Sequence, residues 1–337
     1  MNERVLVTGG SGYLAGWVIA ELLDQGYRVR TTVRDADRSG AVRAAVAEAS
    51  GGDAAGSIEF AVADLLDDAG WAEAMRGVDY VVHTASPLGF TPGEDVVRTA
   101  REGVRRVLGA ASRAGVRRTV LTSSGVAAVP SDRSVPASET VWAEASGSPR
   151  KAYNDSKIHA ERDAWSLAAE TGLELAAVLP TFMQGPPLGA PGRQGSVEIV
   201  RRLLAGGVPA IPNVGWDVVD VRDVARLHLL AMTSPAAAGE RFIGSGGFLW
   251  WRDIARLLRE RLPAESRKVP RRRMPDGIVR LLGRGNPQLA MLGEQLGIRT
   301  VVDGSKAQRV LGWRSRPVEQ TIVDTARALV AKGALEH

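Results

Sequence analysis

Tyr153 and Lys157 stand four residues apart in Tyr153-Asn154-Asp155-Ser156-Lys157, a spacing that puts both side chains on one face of a helix. A free phenol has a pKa near 10 and is a poor acid at neutral pH. A neighbouring ammonium stabilises phenolate and brings the phenol toward working range. The pair can then hand a proton to a carbonyl oxygen as a hydride reaches the carbon. With only four Tyr and five Lys in the chain, a Tyr-to-Lys spacing of four arises by chance about 6% of the time. The plain alternative is an exposed helix turn that happens to carry a lysine. Against it stands Thr122-Ser123-Ser124 at the end of an apolar run, where a hydroxyl can bond a substrate oxygen and steady developing charge.

A second group of residues suits a dinucleotide. Thr8-Gly9-Gly10-Ser11-Gly12-Tyr13-Leu14-Ala15 follows the first apolar run and opens the first helical stretch. In that setting the first Gly makes a tight turn, the next lets backbone approach a pyrophosphate, and a small last residue, here Ala15, lets helix and strand pack closely. The helix N-terminus supplies N–H groups and positive dipole to the phosphates. NAD sites place a carboxylate at the end of the second strand; here that strand ends Thr32-Val33-Arg34-Asp35. A guanidinium at Arg34 suits a 2′-phosphate, with Arg38 in support, so NADP(H) is favoured while Asp35 keeps NAD open. Asp64-Leu65 is expected at the adenine edge, and Thr84-Ala85-Ser86-Pro87 along the middle of the cofactor.

The elements that must hold these groups read as alternating strands and helices. Apolar, β-branched runs fall at 4–8, 27–33, 58–63, 79–84, 118–123 and 173–179, with amphipathic segments at 16–25, 71–76, 96–114 and 156–171 between them. Strands apolar on both faces imply a parallel sheet covered by helices on each side, a doubly wound α/β (Rossmann) fold. After Leu179 the rhythm breaks in a Pro- and Gly-rich stretch, and a smaller, mixed C-terminal substrate lobe is expected. Residues 1–180 read as the dinucleotide-binding domain. Val218-Val219-Asp220 and the helix after it, within 211–235, read as a βα step returning to that sheet. Residues 181–334 read mainly as the lobe, with helices at 251–262, 276–282 and 318–331. Leu335-Glu336-His337 reads as the start of an expression tag.

Composition narrows the class. At 337 residues with 45% hydrophobic and 24% charged side chains, the chain can bury a substantial core, and wholesale disorder is not expected. The absence of cysteine removes disulfides, thiolate metal ligands and cysteine nucleophiles. His83, His159 and His228 lack ligand spacing, so no metal is expected. No apolar run is long enough for a bilayer and Met1–Gly10 lacks a signal-peptide pattern, so a cytoplasmic protein is the expectation. The net charge of +5 is unevenly spread, and the Arg-rich 252–284 region with Lys268-Val269-Pro270-Arg271-Arg272-Arg273 reads as a solvated basic face. No recognition motif accompanies it, so nucleic acid is not expected.

Taken together, TGGSGYLA, the TVRD strand end, HTASP at 83, LTSS at 121, YNDSK at 153, LPTFMQGP at 179, VDVRDVARLH at 219 and DGSKAQRVLGW at 303 resemble the extended short-chain dehydrogenase/reductase superfamily. The likeness is greatest to its dihydroflavonol-reductase-like and aldehyde-reductase branch. The resemblance implies a catalytic Ser124, Tyr153 and Lys157, with Ser123 as the other choice for the serine. It also implies that Lys157 bonds the nicotinamide ribose, that Pro180 flanks the nicotinamide, and that the chain can form a homodimer. Where sugar-nucleotide epimerases read RPxNVYGP, this chain has Leu179 and Phe182 in place of the Arg and Asn, which fits an apolar substrate. The longer aromatic motif of cinnamoyl-CoA reductases around the Tyr is missing, as is the polar residue that flavonoid reductases carry near Val129. The expectation is an NADP(H)-dependent reductase of small, largely apolar aldehydes or ketones, with Leu88, Phe90, Phe182, Met183 and Trp216 among the pocket walls. A hydroxysteroid-type or sugar-nucleotide enzyme, or a non-catalytic NADP(H) sensor, are the alternatives.

Overall fold

The computed structural model describes residues 3–50, 52–87, 95–132, 134–190 and 195–335. Among these residues ten strands are formed: β1 (Arg4–Thr8), β2 (Arg28–Val33), β3 (Glu59–Val62), β4 (Tyr80–His83), β5 (Arg118–Thr122), β6 (Leu175–Pro180), β7 (Phe182–Gln184), β8 (Gly215–Asp220), β9 (Arg241–Gly244) and β10 (Gly247–Trp250). The helices are α1 (Tyr13–Asp24), α2 (Ser39–Ser50), α3 (Trp71–Ala74), α4 (Val96–Arg113), α5 (Ala152–Thr171), α6 (Glu198–Ala205), α7 (Val221–Thr233), α8 (Trp251–Arg261), α9 (Asp276–Leu282), α10 (Pro287–Gly293), α11 (Ser305–Leu311) and α12 (Val318–Ala331).

Seven strands form one parallel sheet in the order β3-β2-β1-β4-β5-β6-β9. Alternation along each strand splits its apolar side chains between two faces. Val5, Val7, Val82, Val120 and Val178 meet α1 and α7 on one side. Leu6, Val81, Leu121 and Leu175 meet α3, α4 and α5 on the other. This is the doubly wound Rossmann arrangement. The chain reverses between β1 and β4, so a crevice opens at the carboxyl ends of these strands, where ligands of such sheets bind.

A smaller mixed sheet, β10-β8-β7, carries a separate apolar core with α6, α8 and α12. Here one expectation is corrected. β8 does not return to the large sheet; it pairs with β7 and β10, and the returning elements are α7, packed on α1, and the four-residue β9. Register with partners distant in sequence decides this, and Val-Val-Asp alone carries no such information. Leu335, read as part of a tag, packs against the core of the lobe. Lys268, Arg271, Arg272 and Arg273 are exposed. Among the described residues no helix is long and apolar enough to cross a membrane.

Gly10 shows how tightly the first turn is built. A Cβ there would lie 2.4 Å from Thr31 Oγ1 and 2.8 Å from its Cγ2, and Thr31 is held by its bond to the Val7 carbonyl at 2.7 Å. Gly10→Ala is therefore expected to destabilise the fold by about 1–3 kcal/mol through overpacking. Urea unfolding measures this, and an unchanged midpoint would contradict it.

Candidate active site

Thr8, at the end of β1, organises the approach to the crevice. Its hydroxyl bonds His83 Nδ1 at 2.8 Å and accepts the Ala85 N–H at 3.1 Å, while its carbonyl accepts from the Thr84 hydroxyl at 2.6 Å. The ends of β1 and β4 are thus locked side by side. Burial and the nearby Lys157 cation push the His83 imidazole down to about 3, so it is neutral at physiological pH.

The turn after Thr8 forms a cradle that side chains would fill. Gly9 has φ +72°, and a Cβ there would meet Ala85 at 3.0 Å. Gly9 and Gly10 donate their N–H groups to the Thr32 hydroxyl and carbonyl, both at 2.9 Å. Gly12 caps α1 with no side-chain bond, so the first N–H groups of the helix face the crevice without an internal partner. Leu14 is buried and Ser11 exposed, so Leu14 offers a ligand backbone only. The Tyr13 hydroxyl donates to the Gly185 carbonyl at 2.9 Å and ties this turn to the segment after β7. This geometry fits a pyrophosphate.

At the end of β2, Arg34 is exposed and makes no ion pair among the described residues. Asp35 accepts the Asp37 N–H at 3.0 Å and caps the short turn at residues 36–38. The guanidinium is available to a ligand, and the carboxylate that left NAD open is engaged in local structure. Asp64 accepts the Leu66 N–H at 2.8 Å; Leu65 lies against Gly103 and its carbonyl takes Arg106. After β4, Ser86 is half-buried and Pro87 buried.

The catalytic candidates converge from β5 and α5. Ser124 follows β5 and is buried, and its hydroxyl interacts with the Tyr153 phenol. Lys157, one turn along α5, is buried and donates to the Thr122 carbonyl at 3.3 Å. Burial brings this ammonium down to about 8, while the charge of Glu161 opposes the fall. The expectation that Lys157 lowers the phenol is corrected. Burial dominates and pushes Tyr153 above its usual value, with the Ser124 hydroxyl alone pulling it back. A phenol so placed is protonated at neutral pH, the form a proton donor needs.

The two serines differ in their partners. Ser123 donates to the buried Glu161 carboxylate, whereas Ser124 faces Tyr153. Asp155, between the Tyr and the Lys, accepts from the N–H groups of Ser146 and Gly147, both at 2.8 Å, and orders the approach to α5. Sequence reasoning missed Glu161 and its partner Arg241; the available signal was a carboxylate four residues after Lys157.

Of the expected pocket walls, Phe182 and Trp216 stack with ring centroids 4.8 Å apart, and Trp216 leans on Trp251 at 5.7 Å. Met183 does not join them. Successive residues of β7 face opposite ways, and Met183 packs on the core of the large sheet. Leu88 and Phe90 lie outside the described residues. Pro180 ends β6 and is buried, and its carbonyl would lie 3.4 Å from a Cβ at Gly125.

Known proteins match this arrangement. The model of the NAD dependent epimerase/dehydratase family matches residues 5–243. Cinnamoyl-CoA reductase 1 of Oryza sativa subsp. japonica is 40% identical over 267 residues, covering 78% of this chain and 77% of its own length. A ketoreductase of Aspergillus niger is 31% identical over 98% of both chains. The crystal structure of the yeast methylglyoxal/isovaleraldehyde reductase complexed with NADPH superposes with a TM-score of 0.80 at 26% identity, covering 98% of this chain and 99% of that one.

Proposed function

The chain belongs to the NAD dependent epimerase/dehydratase family, the extended short-chain dehydrogenase/reductases, and on that premise we propose that it is an NADPH-dependent reductase of small, largely apolar aldehydes and ketones. The observation that carries this reading is the meeting of the Ser124 hydroxyl, the protonated Tyr153 and the buried Lys157 at the crevice edge.

NADPH, when bound, supplies a hydride to the carbonyl carbon. The N–H groups of Ser11, Tyr13 and Leu14 at the start of α1 hold its pyrophosphate, and Arg34 meets the 2′-phosphate. Ser124 donates a hydrogen bond to the substrate oxygen and fixes it beside Tyr153. Tyr153 gives its proton to that oxygen as charge develops there, the Ser124 hydroxyl favours the phenolate left behind, and Lys157 bonds the nicotinamide ribose. Carbonyl, hydride and proton become the alcohol. Residues 1–180, joined by α7 and β9, form the cofactor-binding part, and the lobe centred on β10-β8-β7 covers the substrate.

Phe182 and Trp216 give the pocket an aromatic wall. Phe182→Leu keeps much of the apolar volume but removes the stacking face, worth about 0.5–1.5 kcal/mol. The Michaelis constant for an aryl aldehyde is expected to rise about two- to tenfold relative to an alkyl aldehyde; equal changes for both would remove Phe182 from the wall.

A second reading rests on the 40% identity to cinnamoyl-CoA reductase. The same proton and hydride, delivered to a thioester, release a thiol and leave an aldehyde. Steady-state rates with benzaldehyde, an alkyl ketone and an aryl thioester of coenzyme A separate the readings. Turnover of the thioester alone would replace the first by the second.

A further inference from the structure

Glu161 lies one turn beyond Lys157 on α5 and is 1% exposed. Its carboxylate takes the Ser123 hydroxyl, Arg241 Nε at 2.7 Å and Nη2 at 3.3 Å, and Trp165 Nε1 at 3.4 Å. Arg241 comes from β9, the outermost strand of the large sheet, and is also buried. Its remaining donors reach the carbonyls of Ala127 at 3.2 Å, Glu139 at 2.9 Å and Val141 at 2.7 Å, and its plane lies over the Trp142 ring at 3.9 Å. One ion pair therefore joins the edge strand, the end of β5, the helix bearing Tyr153 and Lys157, and both ends of the segment that follows Ser124.

Removing two charges from water is costly, and an apolar pair of like volume often stabilises a fold as well or better. Fold stability alone is thus a weak reason for this pair. We propose that Glu161 and Arg241 are positioning residues for the reaction: Glu161 sets the charge environment of Lys157 and, through Ser123, the placement of Ser124, while Arg241 holds Glu161 in register. This rests on the reductase reading of the same site.

The surroundings of Lys157 support it. From β4 it faces His83, which is neutral; from β5 it faces the Thr122 carbonyl; on its own helix it faces Tyr153 and Glu161. The other charges of α5 are engaged elsewhere: Asp163 with Arg101 and Arg105 of α4, Asp155 with Ser146 and Gly147, Arg162 with the Ala143 carbonyl at 2.8 Å, and Glu170 with the Ser166 hydroxyl at 3.0 Å. Lys151, before α5, is exposed and lies 3.9 Å from Glu294. Glu161 is the anion whose charge opposes the effect of burial on Lys157.

The test is the pH dependence of kcat for benzaldehyde reduction by NADPH, beside melting temperatures and NADPH affinities. Glu161→Gln keeps the shape, removes the anion and leaves Arg241 a lone cation, so the alkaline limb is expected to move down by about one pH unit. Arg241→Lys keeps the charge but loses the fork of donors, so kcat is expected to fall about tenfold with the limb in place and NADPH affinity unchanged. If Glu161→Gln does not fold, Glu161→Gln/Arg241→Gln replaces it, with the same direction of shift expected. A limb that stays at the wild-type pH, whatever the melting temperature does, overturns the proposal. Wild-type protein inactive on every carbonyl defeats the reductase reading instead, so the two failures are told apart.

Discussion

Tyr153→Phe is expected to lower kcat about 10²–10⁴-fold, the range for loss of a positioned general acid, while the dissociation constant of NADPH stays within about twofold. The substitution deletes one oxygen from a ring that otherwise keeps its place on α5. Burial holds that phenol protonated, and Ser124 is the hydroxyl beside it. Lys157 lies one turn further along α5, with its ammonium donating to the Thr122 carbonyl at 3.3 Å. Stopped-flow hydride transfer together with NADPH fluorescence titration measures both quantities. Retention of most of the activity would refute the assigned role.

Arg34→Ala is expected to raise the Michaelis constant for NADPH about 10–100-fold and to leave that for NADH within about twofold. The size follows from losing charge-assisted hydrogen bonds to a phosphate, worth about 1.5–3 kcal/mol. The selectivity follows from the end of β2. Val33 is buried where an NAD site places its acid, Asp35 caps the next turn at 3.0 Å, and Arg34 projects free. Parallel kinetics with the two cofactors give the ratio, and equal losses for both would remove the 2′-phosphate from the account.

The large sheet was legible because its strands are apolar on both faces. β1, β4, β5 and β6 read as unbroken runs since every residue meets a helix layer above or below. β9 was not legible: it is four residues long, ends in Gly244, and starts with Arg241, whose charge is matched by an acid eighty positions away. β8 read correctly as a strand but was assigned to the wrong sheet, because its pairing with β7 and β10 is a tertiary fact.

The site divides in the same way. Tyr153 and Lys157 were readable from helical period and rarity, and the glycine turn from its place between β1 and α1. The sequence left Ser123 and Ser124 open, because adjacent residues at a strand end differ mainly in the direction they point, and only Glu161 and Arg241 show which one is engaged. The direction of the Tyr153 shift was misjudged for a related reason: charge proximity is visible in a spacing of four, whereas the depth of burial that raises the phenol is not.

The most direct measurement follows the absorbance of NADPH, and separately of NADH, against a panel of aryl aldehydes, keto esters, flavanonols, steroids, aryl thioesters and UDP-sugars. The account predicts oxidation of NADPH by apolar carbonyls, a much weaker rate with NADH and none with UDP-sugars. Tight binding of NADPH with no oxidation by any carbonyl would contradict it and leave a cofactor-sensing protein in its place.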